Sequence, residues 1–239
     1  MNKEEIVSEN DLKEDGEIIL FEGEPFTGTG VDYHKNGQKK SERNYKDGME
    51  NGVSTGWYED GEKSHEFYFK DGQQDGFWKR WYPNGHMISD KFYKNGELDG
   101  SCTTWFENGQ KQFEYYYEEG WREGLRTEWY ENGKKKCVRP YKDGVTNGIL
   151  TKWYESGEKL LEERYNNGHE ESLTSWYENG QKHIQTYYKW VEHEFKERLK
   201  GGRIDNTTME VMQKEGLHTE WDEDGNIICE KNFVGGNEE

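Results

Sequence analysis

The side chains that could do chemistry are histidines, cysteines and paired carboxylates. The seven histidines (34, 65, 86, 169, 183, 193 and 218) are scattered over unrelated positions of the chain's internal pattern. The three cysteines, Cys102, Cys137 and Cys229, are odd in number and form neither CxxC nor Cys/His metal spacing, so reduced thiols are the simplest reading. Carboxylates sit beside one another throughout, but they recur at a fixed period. A catalytic site needs one asymmetric place, whereas a recurring pair belongs to a scaffold. Gly28-Thr29-Gly30 precedes a strand rather than a helix, so it is not a phosphate loop. The residues therefore indicate no catalytic constellation, no metal site and no cofactor.

What positions these side chains is one recurring phrase, Trp129-Tyr130-Glu131-Asn132-Gly133. It returns around Trp57, Trp81, Trp105, Trp153 and Trp176, and the glycines at 37, 61, 85, 109, 133 and 157 are 24 residues apart each time. A period of that length marks a repeat array. Units start at 28, 52, 76, 100, 124, 148, 171 and 216 and occupy residues 25–239. Residues 1–24 form an acidic lead-in, with nine acids and two bases, and Ile18 to Phe21 is expected as an N-terminal capping strand.

Each unit reads as a β-hairpin. Asn-Gly between alternating aromatic and polar residues is a strong hairpin signal, and a two-residue type I′ turn with φ > 0 at both positions is expected there. A second punctuation, such as Asp47-Gly48 or Asp71-Gly72, reads as the loop to the next hairpin. The two-residue turn places Tyr58 beside Lys63, Tyr130 beside Lys135 and Tyr154 beside Lys159, with lysine stems over the tyrosine rings. It aligns a far aromatic column from Tyr45 and Phe69 to Phe233. On the tryptophan face it aligns Glu42, Glu66, Asp90, Glu114, Glu162 and Glu230 opposite Thr55, Lys79, Thr103, Thr151 and Thr219, with the hydroxyls expected to satisfy the acids.

The array is interrupted between Gly180 and Gly216 by an insertion near residues 190–215. Val191, Phe195 and Leu199 at i, i+4 and i+8 predict one short amphipathic helix, with Gly201-Gly202 at its C-terminal end. The fold expected is all-β: an elongated, single-layer antiparallel sheet of about eight hairpin repeats with a short helical insertion.

Composition bounds the function. Hydrophobic residues make up 30% and half of those are aromatic, which excludes both a closed aliphatic core and a disordered chain. The formal charge of −18, from 50 acids and 32 bases, disfavours nucleic acid and anionic membranes as partners and favours a basic protein. No apolar stretch suits a secretory signal or a membrane span, so a cytoplasmic location is expected.

The phrases Lys35-Asn36-Gly37-Gln38-Lys39, Tyr45-Lys46-Asp47-Gly48, Glu107-Asn108-Gly109-Gln110-Lys111 and Glu178-Asn179-Gly180-Gln181-Lys182 resemble the MORN-repeat-variant family, especially its YwqK-type antitoxin group. Phe26-Thr27-Gly28 resembles that family's entry into the first repeat. The resemblance implies a stack of hairpins and a toxin–antitoxin or immunity role, with scaffolding of proteins or lipid binding as the alternative. A non-enzymatic protein that occludes a basic toxin is the expectation. Glu42, Glu66, Asp90 and Glu114 would steer the partner, while Trp57, Trp81, Trp105, Trp129 and Phe195 would anchor it.

Overall fold

The computed structural model describes residues 5–198 and 204–239, without the side chains of 193–198 and 204–208. The chain divides into two units, residues 1–124 with 128–133 and residues 125–127 with 134–239. Both are antiparallel sheet built from successive hairpins. Among the described residues the one helical element is a 3-10 turn, Glu9–Asp11.

In the first unit the strands Gly28–Tyr33, Lys39–Lys46, Gly52–Trp57, Lys63–Lys70, Gln73–Trp81, Met87–Lys94, Glu97–Trp105 and Lys111–Glu118 pair in sequence order. Strand Glu5–Ser8 lies parallel along the outer edge of Gly28–Tyr33. Ile18–Phe21 is a strand of a small second sheet with Lys13–Asp15 and Glu24–Pro25. It meets the array at the Asp47-Gly48 turn, where Ile19 N donates to Gly48 O at 2.7 Å and Gly48 N donates to Phe26 O at 2.8 Å. Here the unit is best buried: Phe26, Val31 and Tyr45 form its core, with the Phe26 ring 5.8 Å from Phe21 and 5.7 Å from Tyr45.

The second unit repeats the scheme with Lys135–Lys142, Gly148–Trp153, Lys159–Asn166, His169–Trp176, Gly216–Trp221 and Ile227–Val234. Its insertion is not a helix. The far part of strand Lys182–Arg198 pairs with Ile204–Lys214 in one long antiparallel arm, in register from Tyr188↔Lys214 to Arg198↔Ile204. The reason lies in the spacing itself: i and i+4 share a face on a strand as well as on a helix. The flanking residues then decide, since Ile184, Thr186, Tyr187, Tyr188, Trp190 and Val191 are β-branched or aromatic. Leu199 and Gly201-Gly202 lie outside the described residues. The arm is an extended version of an ordinary turn. Glu215 N donates to Tyr187 O at 3.0 Å as Asn51 N does to Asn44 O at 2.8 Å, and Lys189↔Gln213 takes the place of Lys46↔Met49. Residues 190–212 thus stand where Asp47-Gly48 stand in the first hairpin unit.

The two kinds of turn are the reverse of the expected assignment. Type I′ geometry, with φ > 0 at both central residues, belongs to the second punctuation: Asp47 φ 51° and Gly48 φ 82°, Asn95 φ 51° and Gly96 φ 84°. At the repeating phrase only the glycine is left-handed, as at Gly37, φ 85°. His34 N donates to Gln38 O at 2.8 Å and Gly37 N to His34 O at 2.9 Å, which makes a three-residue loop. Asn36 stays right-handed because its Oδ1 accepts the Gln38 N–H at 3.0 Å.

A bulge between Asp32 and Tyr33 absorbs the extra loop residue. Beyond such bulges the expected register holds: Thr55↔Glu66, Lys79↔Asp90, Thr103↔Glu114, Thr151↔Glu162 and Thr219↔Glu230. Before them it shifts by one, so the lysines lie opposite tryptophan rather than tyrosine: Trp57↔Lys63, Trp105↔Lys111, Trp153↔Lys159 and Trp176↔Lys182.

Candidate functional site

The repeating phrase is a lock between neighbouring hairpins, and each of its polar side chains has a defined partner one unit on. In the first unit Tyr58 Oη donates to Trp81 O at 2.6 Å and Tyr82 Oη to Trp105 O at 3.2 Å, while His34 Nε2 takes the same role toward Trp57 O at 2.8 Å. Asn84 Nδ2 donates to Glu107 O and Asn108 Nδ2 to Glu131 O, both at 3.0 Å. In the second unit Tyr154 Oη reaches Trp176 O at 2.9 Å. Tyr177 Oη donates to Trp221 O at 3.0 Å and Asn179 Nδ2 to Glu223 O at 2.8 Å, across the insertion. The stack therefore closes past the arm as if it were absent. Each bond satisfies a carbonyl that the turn leaves without a ladder partner, and is worth about 1 kcal/mol.

The lysines form a second ladder on the tryptophan face. Lys39 lies 5.4 Å from the Trp57 ring centroid and Lys111 5.7 Å from that of Trp129; in the second unit Lys159 is 5.0 Å from Trp176 and Lys182 5.4 Å from Trp221. Lys182 donates to Gln185 at 3.1 Å, and the other lysines of this column hold the acid three residues on. Lys39 bonds Glu42, Lys63 bonds Glu66, Lys111 reaches Glu114 at 2.5 Å and Lys159 reaches Glu162 at 2.7 Å. Lys79 stands 3.8 Å from Asp90. The lysine, not the threonine opposite, supplies the acid's partner, because the bulge turns residues i and i+3 onto one face. These pairs are half exposed, so each contributes about 0–1 kcal/mol. Their number fixes the geometry more than any single one stabilises it.

Thus Glu42, Glu66, Asp90 and Glu114 fall in one row on the tryptophan face of the first unit, each ion-paired within the chain. The backbone carbonyls of Trp57, Trp81 and Trp105 accept lock bonds, and the rings of Trp57 and Trp129 carry a lysine. The side chain of Phe195 lies outside the described residues.

The opposite face carries Phe67 and Trp78, which the sequence reading did not single out, between His65 and the Tyr93 of the far aromatic column. His65 stacks on Phe67 at 4.6 Å, Phe67 on Trp78 at 3.7 Å, and Trp78 meets Tyr93 edge-on at 5.6 Å. Burial pushes the His65 imidazole below its ordinary range, with Arg43 and Arg80 adding to the shift. Cys102 is fully buried, and burial raises its thiol pKa, which suits packing rather than nucleophilic chemistry.

In the second unit, burial and the neighbouring Glu163 push Tyr165 up to about 12. At the base of the arm His169, Glu171, Tyr188, Trp190 and Glu210 line a cavity of about 400 Å³. Trp190 Nε1 donates to Glu170 O at 2.9 Å, its ring meets His169 edge-on at 4.6 Å, and His169 Nε2 lies 3.2 Å from Glu210. The one hydroxyl among these lining residues is the Tyr188 phenol, which burial raises above its ordinary range. Among the described residues there is no group of three His, Cys, Asp or Glu able to hold a metal ion, and no helix is long and apolar enough to cross a membrane.

Five stretches match the MORN repeat variant. They are residues 26–47, 74–95, 98–121, 122–143 and 214–234. A comparison with curated proteins finds no match. The last matched stretch begins at Lys214, where the chain returns from the arm. MORN repeats suggest a scaffold for protein or lipid association.

Proposed function

We propose that this chain is a non-enzymatic scaffold that binds a basic protein, and that it acts as an antitoxin or immunity protein by covering that partner's working surface. The observation that carries this reading is the place of the charge. The lysine ladder neutralises the acid row of the tryptophan face, so the net −18 resides on the turns and the N-terminal segment. An array with neutral floors and acidic rims attracts a cationic protein at long range and offers flat sheet at contact. The row Glu42, Glu66, Asp90 and Glu114 with Trp57, Trp81, Trp105 and Trp129 serves as that floor. The same charge opposes anionic lipid, the lipid form of the alternative role as a scaffold for protein or lipid association.

The test is capture from native lysate with the full chain at low and at high salt, beside co-sedimentation with phosphatidylserine vesicles. A basic protein retained at low salt and released at high salt, whose toxicity on expression is relieved by this chain, is the expected result. Salt-insensitive capture, or sedimentation with the vesicles, would overturn it.

A further inference from the structure

The columns that build the stack recur in unit after unit. The column two residues beyond the ladder-acid position does not: it is Asn44 in the first hairpin, Tyr68, Phe92 and Tyr116 in the next three, then Pro140, Arg164, Tyr187 and Asn232. Stacking does not need aromatic residues there. In the first unit Val53 faces Tyr68, Phe77 faces Phe92 and Ser101 faces Tyr116 across the strands. The rings of Tyr68 and Phe77 lie 6.0 Å apart. Gly76 seats Tyr68, since a Cβ there would be 3.2 Å from its ring. The row shares the face of the lysine ladder, with Lys79 Nζ 5.8 Å from the centre of Phe77. Phe92 is 47% exposed and Tyr116 46%.

The strands bearing Tyr68, Phe92 and Tyr116 run on into turns 69–76, 93–100 and 117–124. These turns carry Asp71, Asp75, Glu97, Asp99, Glu118, Glu119 and Glu123 against Lys70, Lys94 and Arg122. Glu97, Asp99 and Glu119 line a recess of about 260 Å³ beside Lys94.

We infer that the row Tyr68–Phe77–Phe92–Tyr116 is the docking surface for an arginine-rich segment of the basic partner, whose guanidinium planes stack on the rings and donate to the turn carboxylates. Arginine fits because one planar group can do both, whereas a lysine ammonium is a hydrated point charge. A second copy of this chain fits poorly, because it would set the same acidic turns against each other. Five strands at ~4.8 Å spacing give a row about 19 Å long, the reach of about six extended residues. This deepens the basic-partner reading and rests on it.

The test uses the full chain and labelled oligo-arginine, oligo-lysine and oligo-glutamate peptides of that length, followed by fluorescence anisotropy. Oligo-arginine binds tightest and oligo-glutamate not at all. Combined Phe92→Asn and Tyr116→Asn, which installs the residue the same column already carries at Asn44, weakens oligo-arginine about tenfold or more with the melting midpoint kept. Combined Glu97→Gln, Asp99→Asn and Glu119→Gln flattens the salt dependence. If the aromatic double variant binds oligo-arginine as tightly as the native chain, the site is overturned while a basic partner still stands. If the native chain binds neither cationic peptide, the basic-partner reading falls with it. A native dimer that the double variant converts to monomer in sedimentation would show a second copy as the occupant and also overturn the proposal.

Discussion

Replacing residues 190–212 by Asp-Gly should leave the second unit folded and nearly as stable as before. The arm stands where a two-residue type I′ turn stands elsewhere, and its base already has turn geometry through Glu215 N–Tyr187 O at 3.0 Å and Lys189↔Gln213. The locks that join the flanking hairpins, Tyr177–Trp221, Asn179–Glu223 and Lys182 over Trp221, do not involve the arm. The replacement loses the Trp190 Nε1–Glu170 O bond, about 1 kcal/mol, the Trp190–His169 edge contact, about 0.5–1.5 kcal/mol, and the half-exposed His169–Glu210 contact, about 0–1 kcal/mol. It relieves the directly opposed Glu192 and Glu210, and a connection roughly ten times shorter regains about 2 kcal/mol of closure entropy. The terms nearly cancel, so the urea midpoint should shift by no more than about 1 kcal/mol equivalent. Circular dichroism and urea unfolding on both chains check this. A variant that unfolds without cooperativity, or loses more than about 4 kcal/mol, would refute the view that the stack closes independently of the arm.

Three further outcomes follow from the locks and the buried groups. Tyr154→Phe removes the donor to Trp176 O and should cost about 1 kcal/mol in urea unfolding, with far-ultraviolet dichroism unchanged. Gly76 lies in the register shift between Gln74 and Trp78, and Gly76→Ala places a Cβ at φ 111° and 3.2 Å from the Tyr68 ring, so a loss of about 1–3 kcal/mol is expected; no loss would show that this bulge relaxes freely. Glu170 is raised above its ordinary value by burial first and by Glu163 second. A carboxyl raised in the folded state costs stability once pH climbs above its unfolded value. Glu170→Gln should therefore be more stable than the native chain at neutral pH, with the gain vanishing below about pH 4 in a melting series. A constant difference at all pH values would remove the ionisation from the account.

Much of this protein follows from local sequence. The 24-residue period, the hairpins and the acid–threonine register are set by turn residues and alternation over a few neighbours, so they can be read without the fold. The turn types could not be read so directly, because Asn-Gly suits both a type I′ turn and the last two residues of a three-residue loop. What chose between them is the Asn side chain, which accepts from its own turn and donates to the next hairpin: Asn84 Oδ1 binds His86 N and Asn84 Nδ2 binds Glu107 O. The lysine column shifted from tyrosine to tryptophan for the same reason, since one bulge moves every side chain before it by a position. Val191 and Phe195 are consistent with helix or strand in isolation, and pairing with Ile204–Lys214 decided for strand. The row Tyr68, Phe77, Phe92 and Tyr116, half-buried at its first two members and exposed at the last two, stayed hidden because its members lie far apart in sequence and only cross-strand pairing aligns them. Sequence by itself determined the repeating unit; tertiary structure decided which of its side chains are consumed in joining units and which are left at the surface, because joining takes place between residues about one repeat apart.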